Sequence, residues 1–199
     1  MDETTFSARL ERWLQSDAPK SIGGVGEIFA QKTFAVLIFL LMITPALPLP
    51  TGGVTHVFEV IAILIAGQMV LGFETLWLPQ RWKNRELGNV TLTKTLPKAV
   101  GLIRWLEKYS RPRMTSLYSY RWLLQLLGIF LIGFSVAAAL APPFTGLDTL
   151  PALGAVLIAL SIILEDALFL LLGTGIGVAG VLLSVFVGSA VVDLVRHLF

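Results

Sequence analysis

Cysteine is absent from the 199 residues, histidine occurs only twice, and charged side chains make up 14% of the chain. The first absence excludes disulfides and thiolate metal sites. With two histidines no convincing zinc set can be assembled, so no metal and no other cofactor is expected. A nucleophile elbow and a phosphate-binding loop are missing as well. Gly173-x-Gly175-x-Gly177 lacks the strand–turn–helix setting of a dinucleotide fingerprint. Nor is there a polar domain of the size a sugar nucleotide would need, so no enzyme is expected. What stands in place of charge is oil. The chain is 55% hydrophobic, more than a soluble domain of this size can hide, and the bilayer becomes the solvent for much of its surface. The N-terminus is polar and no apolar run precedes residue 33, so a cleavable signal peptide is not expected.

The apolar runs are interrupted twice in the same way. Pro48-Leu49-Pro50-Thr51-Gly52-Gly53 separates a short run from a long one, and Pro142-Pro143-Phe144-Thr145-Gly146 does so again. At a spacing of 94 residues, Pro48 falls on Pro142, Thr51 on Thr145 and Gly52 on Gly146. Proline removes a backbone donor and clashes with the preceding helical turn, and glycine frees the backbone to turn. Pro48, Pro50, Gly52, Pro142, Pro143 and Gly146 therefore mark breaks between paired helices. The expected fold is all-α: a polytopic integral membrane bundle with two Pro/Gly-broken helical hairpins forming an internal repeat. Its parts are an N-terminal amphipathic helix and loop (1–30), a first hairpin (31–79), a basic connection (80–121), a second hairpin (122–172) and a C-terminal helix (173–199).

Residues 4–15 place Phe6, Leu10, Trp13 and Leu14 at i, i+4, i+7 and i+8, the spacing of an amphipathic helix. Two readings stand side by side: an interfacial anchor, or a helix packed on the chain's own basic segment. Phe34 to Thr44 covers only about 17 Å at about 1.5 Å per residue, against a hydrocarbon core of about 30 Å. The first hairpin can therefore be re-entrant, its break protected by protein or water. Val54 to Leu78 is long enough to cross, with His56, Glu59, Gly67 and Glu74 within roughly 60° of one another around the helix. Leu123 to Ala141 forms another span. Leu150 to Leu172 reads as one helix with Gly154, Ser161 and Glu165 on one face and Asp166 beside it. The four glycines of 173–180 mark a bend before Val181 to Val195. Gly180, Ser184 and Gly188 form a small-residue stripe, which most often packs a bundle and otherwise supports a homodimer.

Ten of the fifteen Lys and Arg lie between Arg81 and Arg121, opposed only by Glu86 and Glu107. By the positive-inside rule this connection and the N-terminus are cytoplasmic and both breaks face the other side, which makes the repeats parallel. Arg81, Arg111 and Arg113 are the candidate contacts to anionic head groups of the bilayer. Nucleic acid is not an expected partner of so apolar a chain. Intramembrane carboxylates are functional-site candidates by default. Glu165 and Asp166 come first, with Gln68, Glu59 and Glu74 behind them. Each has a structural alternative: Glu74 pairing with Arg81, Glu59 and His56 reaching water, and the acidic pair bridged to Arg111 or Arg113.

Several features in order resemble one family: the PLP break at 48–50, Gln68 with Gly72, Trp77-Leu78-Pro79, RPR at 111–113, Pro142-Pro143-Phe144 and Glu165-Asp166. Together, from about residue 20 onward, they resemble the exopolysaccharide-synthesis (ExoD) family of bacterial membrane proteins. The resemblance implies a multi-pass protein of the bacterial inner membrane, tied to exopolysaccharide production and to partners in its machinery, with no defined reaction. Two expectations follow. One is a non-enzymatic membrane component supporting exopolysaccharide synthesis or export. The other is a small proton- or cation-coupled transporter or channel with substrate near the two breaks, which requires Gln68, Glu165 and Asp166 to border one cavity.

Overall fold

The computed structural model describes residues 5–17, 20, 32–47, 55–77, 93, 96–108, 110, 115–118, 120–142 and 145–198. Every regular element among them is a helix: α1 (Phe6–Gln15), α2 (Thr33–Met42), α3 (Thr55–Val70), α4 (Leu96–Glu107), α5 (Thr115–Tyr118), α6 (Arg121–Leu140), α7 (Thr149–Leu164) and α8 (Ala167–Leu198). Two stretches are long and apolar enough to cross a membrane, Arg121–Leu140 and Ala167–Ala190. Pro48, Pro50, Gly52, Pro143, Arg81, Arg111 and Arg113 lie outside the described residues.

The N-terminal helix settles between its two readings. Phe6, Leu10 and Trp13 are buried, as are Val100 and Ile103 of α4, and the two helices pack on each other. The Ser7 backbone N–H donates to Glu107 Oε1 at 3.0 Å, and Arg104 pairs with Glu11. The apolar face that would enter a membrane interface is thus spent on the basic segment. Lys20 closes this end, its ammonium 5.0 Å from the centre of the Trp13 ring.

The bundle proper is built from α2, α3, α6, α7 and α8. Helix α3 packs on α6, α2 on α7, and each hairpin packs within itself, α2 on α3 and α6 on α7. Helix α7 is largely enclosed, with Ala152, Ala155, Ile158 and Ala159 all fully buried. Against it α8 lies very close. A Cβ on Gly154 would sit 2.4 Å from the Gly177 Cα, and one on Gly180 would sit 2.6 Å from the Pro151 nitrogen. Gly173, Gly177 and Gly180 therefore serve helix contact rather than a bend, and α8 runs unbroken for 32 residues, about 48 Å. Its other side is apolar and open, with Leu171 72% and Phe186 71% exposed. That is the reverse of a helix in a soluble core.

Two expected helical runs are corrected. The run Val54 to Leu78 is not helical throughout: α3 stops at Val70, and Gly72 takes a left-handed turn at φ 76°. Leu150 to Leu172 is not one helix, because α7 ends at Leu164 and α8 starts at Ala167. Between them Glu165 adopts φ 55°, a conformation rare for a side-chain-bearing residue. At the second break, Gly146 turns with φ 70°, as a proline–glycine interruption requires.

Candidate functional site

The turn at Glu165-Asp166 reverses the chain, so these acids lie at an end of the bundle and not part-way along a helix. Glu165 pairs with Lys32, Oε1 to Nζ at 2.8 Å, and the same ammonium donates to the Ile163 carbonyl at 2.9 Å. A cation at a helix C-terminus satisfies an orphan carbonyl and complements the helix dipole. Asp166 Oδ1 accepts the Leu168 backbone N–H at 3.0 Å, acting on the first turn of α8, and its Oδ2 accepts the Ser110 hydroxyl at 3.1 Å. The acidic pair thus gathers the start of α2, the end of α4 and the α7–α8 turn. The lysine of α2, and not a described basic residue of the connection, is the ionic partner of Glu165; no reading of the sequence had singled out Lys32.

The C-terminus of α3 is closed in a matching way. Arg121, the first residue of α6, donates to the Gly72 carbonyl, and Gln125 Nε2 donates to the Val70 carbonyl at 3.1 Å. A Cβ at Gly72 would meet the Arg121 guanidinium at 2.7 Å, so glycine is needed there for both its φ and its bareness. Gln68 Oε1 accepts the Trp77 backbone N–H at 2.7 Å, folding the segment after α3 back along the helix. Glu74 is exposed, and no ion pair among the described residues involves it.

Glu59 stands apart, toward the end that carries the breaks. It is fully buried, and its Oε2 lies 3.1 Å from His56 Nδ1 one turn earlier. The pair is close enough for charge attraction but not aligned as a hydrogen bond, and Glu59 Oε1 meets no donor among the described residues. The alternative in which Glu59 simply reaches water does not hold, because its side chain is fully buried beside His56. Near the acidic turn, Tyr118 is also buried. Burial pushes its hydroxyl upward; Ser161, which does not align as a hydrogen-bond partner, offsets part of this, and Asp166 and Glu165 add to the rise.

Two pockets are described in the bundle. A pocket of about 410 Å³ opens among the start of α2, the end of α3, the start of α6 and the end of α7, and another of about 630 Å³ lies between α6 and α8. Neither is lined by Gln68, Glu165 or Asp166. Among the described residues no group of three or more His, Asp or Glu could hold a metal ion.

Residues 6–186 match the family model described as "Exopolysaccharide synthesis, ExoD". The chain belongs to the ExoD family. It is 28% identical over 175 residues to the "Uncharacterized protein slr1875" of Synechocystis, covering 86% of this chain and 77% of that protein. To the "Protein ExoD" of Rhizobium meliloti it is 30% identical over 139 residues, covering 69% of this chain and 58% of that protein. This ExoD-family chain therefore spans less than two thirds of the length of its rhizobial relative. No solved structure matches it.

Proposed function

We propose that this chain is a non-catalytic, multi-pass protein of the bacterial inner membrane that supports exopolysaccharide synthesis or export. Family membership supplies the pathway. The observation that carries the non-catalytic part is how the polar groups at the bundle end are used. Lys32, Asp166, Arg121, Gln125 and Gln68 each hold a helix terminus or an adjoining backbone group. They act as fastenings of a bundle, a role compatible with a platform for other components of the polymer machinery.

The multi-pass arrangement is supported by the correspondence of the two hairpins. Helices α3 and α7 both have 16 residues, and both their first and last residues are 94 apart, the spacing that relates the two proline–glycine breaks. The contacts correspond too. A two-fold rotation exchanging α2 with α6 and α3 with α7 turns the α2–α7 contact into the α6–α3 contact. It also exchanges Lys32, at the C-terminus of α7, with Arg121, at the C-terminus of α3. Both hairpins enter from one face in this reading, giving parallel repeats about an axis along the membrane normal. Self-association, where it occurs, is assigned to the exposed Gly188 on the face of α8 that lines the pocket beside α6, since Gly180 is packed against Pro151 and Ser184 bonds to the Gly180 carbonyl at 3.0 Å.

The test uses a host lacking its own copy, complemented with wild type, Lys32→Met or Glu165→Gln/Asp166→Asn. Polymer yield and the amount of membrane-resident protein are measured together. A structural role makes the two fall in parallel. Polymer lost at full protein level would overturn the reading of these acids as fastenings.

A further inference from the structure

The cavity among the start of α2, the end of α3, the start of α6 and the end of α7 is amphipathic. Phe34, Met69, Leu124 and Ile162 wall it with apolar surface, one or more from each of the four helices, while Glu74 and Arg121 stand on its lining with opposite charge. Both charged residues are exposed, and no ion pair joins them among the described residues. Among the described residues Arg121 makes one bond, to the Gly72 carbonyl, and a guanidinium has five donors to place. Exposed aromatic rings neighbour the lining residues in sequence: Trp77 is 65% exposed, Tyr120 56% and Trp122 58%. Tyrosine and tryptophan in such positions sit at head-group depth. The opening therefore lies where phospholipid heads are the most abundant solutes.

We propose that this cavity binds one phospholipid whose head group joins a phosphate to a primary ammonium, as in phosphatidylethanolamine. The phosphate meets the free donors of Arg121, the ammonium meets the Glu74 carboxylate, and the first part of an acyl chain lies against Phe34, Met69, Leu124 and Ile162. Charge complementarity makes the selection. A purely anionic head would leave its negative charge facing Glu74, and a choline head offers no N–H to that carboxylate.

The proposal rests on the membrane reading, and the experiment separates the two. Membranes carrying the full chain are first washed with alkaline carbonate; release of the chain would refute the membrane reading itself. The retained chain, purified in detergent, is then offered equal amounts of phosphatidylethanolamine, phosphatidylglycerol and phosphatidylcholine, and adducts are counted by native mass spectrometry. Wild type is expected to favour phosphatidylethanolamine by about fivefold, the size of one interfacial ion pair. Glu74→Gln, at an exposed side chain, brings the three lipids close to parity, and Leu124→Trp, which fills the cavity, removes the adducts. Equal adducts on wild type, or a preference that survives both substitutions, would overturn the assignment.

Discussion

Glu59 and Glu165 are both glutamates in an apolar chain, and their surroundings give them different weights. Glu165 and Lys32 keep 26% and 32% of their side-chain surface exposed, so Lys32→Met is expected to cost about 1 kcal/mol, largely from the uncapped α7. Glu59 is fully enclosed, and His56 is its ion-pair partner among the described residues, so His56→Leu strands a carboxyl group and is expected to cost about 3 kcal/mol. Unfolding of the two variants in mixed detergent, compared with wild type, checks the order; equal losses would contradict it. Tyr118 gives a pH dependence. Its hydroxyl is raised above the ordinary value of 10.0 by burial first, so above that pH the unfolded chain ionises the group more readily than the fold does. Stability from this residue is present below about pH 10 and lost as pH rises through the folded value. Tyr118→Phe is expected to flatten that alkaline decline, and an unchanged decline would count against it. An ion pair for the acidic turn was legible beforehand, but its partner and the burial of Glu59 were not. The sequence exposes Glu59 and His56 as three apart on a helix, but burial depends on which helix covers them. Lys32 is 131 positions from the carbonyl it caps, and no local pattern announces such a partner.

Among the elements, helix identity was largely readable and helix ends were not. The apolar face of α1, the proline–glycine interruption at Pro142 and Gly146, and the amphipathic face of α4 through Val100 and Ile103 all follow from spacing. The ends of α3 and α7 did not, because each is set by a capping cation from another helix. At Glu165 the signal was also misleading: a left-handed residue after a helix is usually glycine, and here it is a glutamate held by Lys32. The glycines of α8 were conspicuous and misassigned, since four glycines in eight residues suit a bend as well as a close crossing. Their geometry yields a direct comparison. Gly154→Ala places a methyl 2.4 Å from the Gly177 Cα, with backbone and no flexible side chain to give way; a loss of about 1–3 kcal/mol is expected. Gly175→Ala, with nothing within 4 Å, is expected to gain up to about 1 kcal/mol from helix propensity. Equal effects in an unfolding assay would mean that the two helices do not cross at Gly154.

At the scale of the whole molecule, the 94-residue spacing carried more information than any single motif. It located two equivalent interruptions. Helices α3 and α7, 16 residues each, keep that spacing at both ends, whereas α2 with 10 residues and α6 with 20 differ in length. Orientation is a matter of charge: the basic connection between the hairpins is expected on the cytoplasmic face and both interruptions on the opposite one. Because the chain contains no cysteine, single cysteines can report this without background. The deciding measurement is labelling of Thr145→Cys and Val90→Cys by a membrane-impermeant maleimide, in intact cells and again after the cells are opened. The account expects Thr145→Cys to label from outside and Val90→Cys to label only after opening. Labelling of Val90→Cys in intact cells, or of both positions from the same side alone, would contradict it.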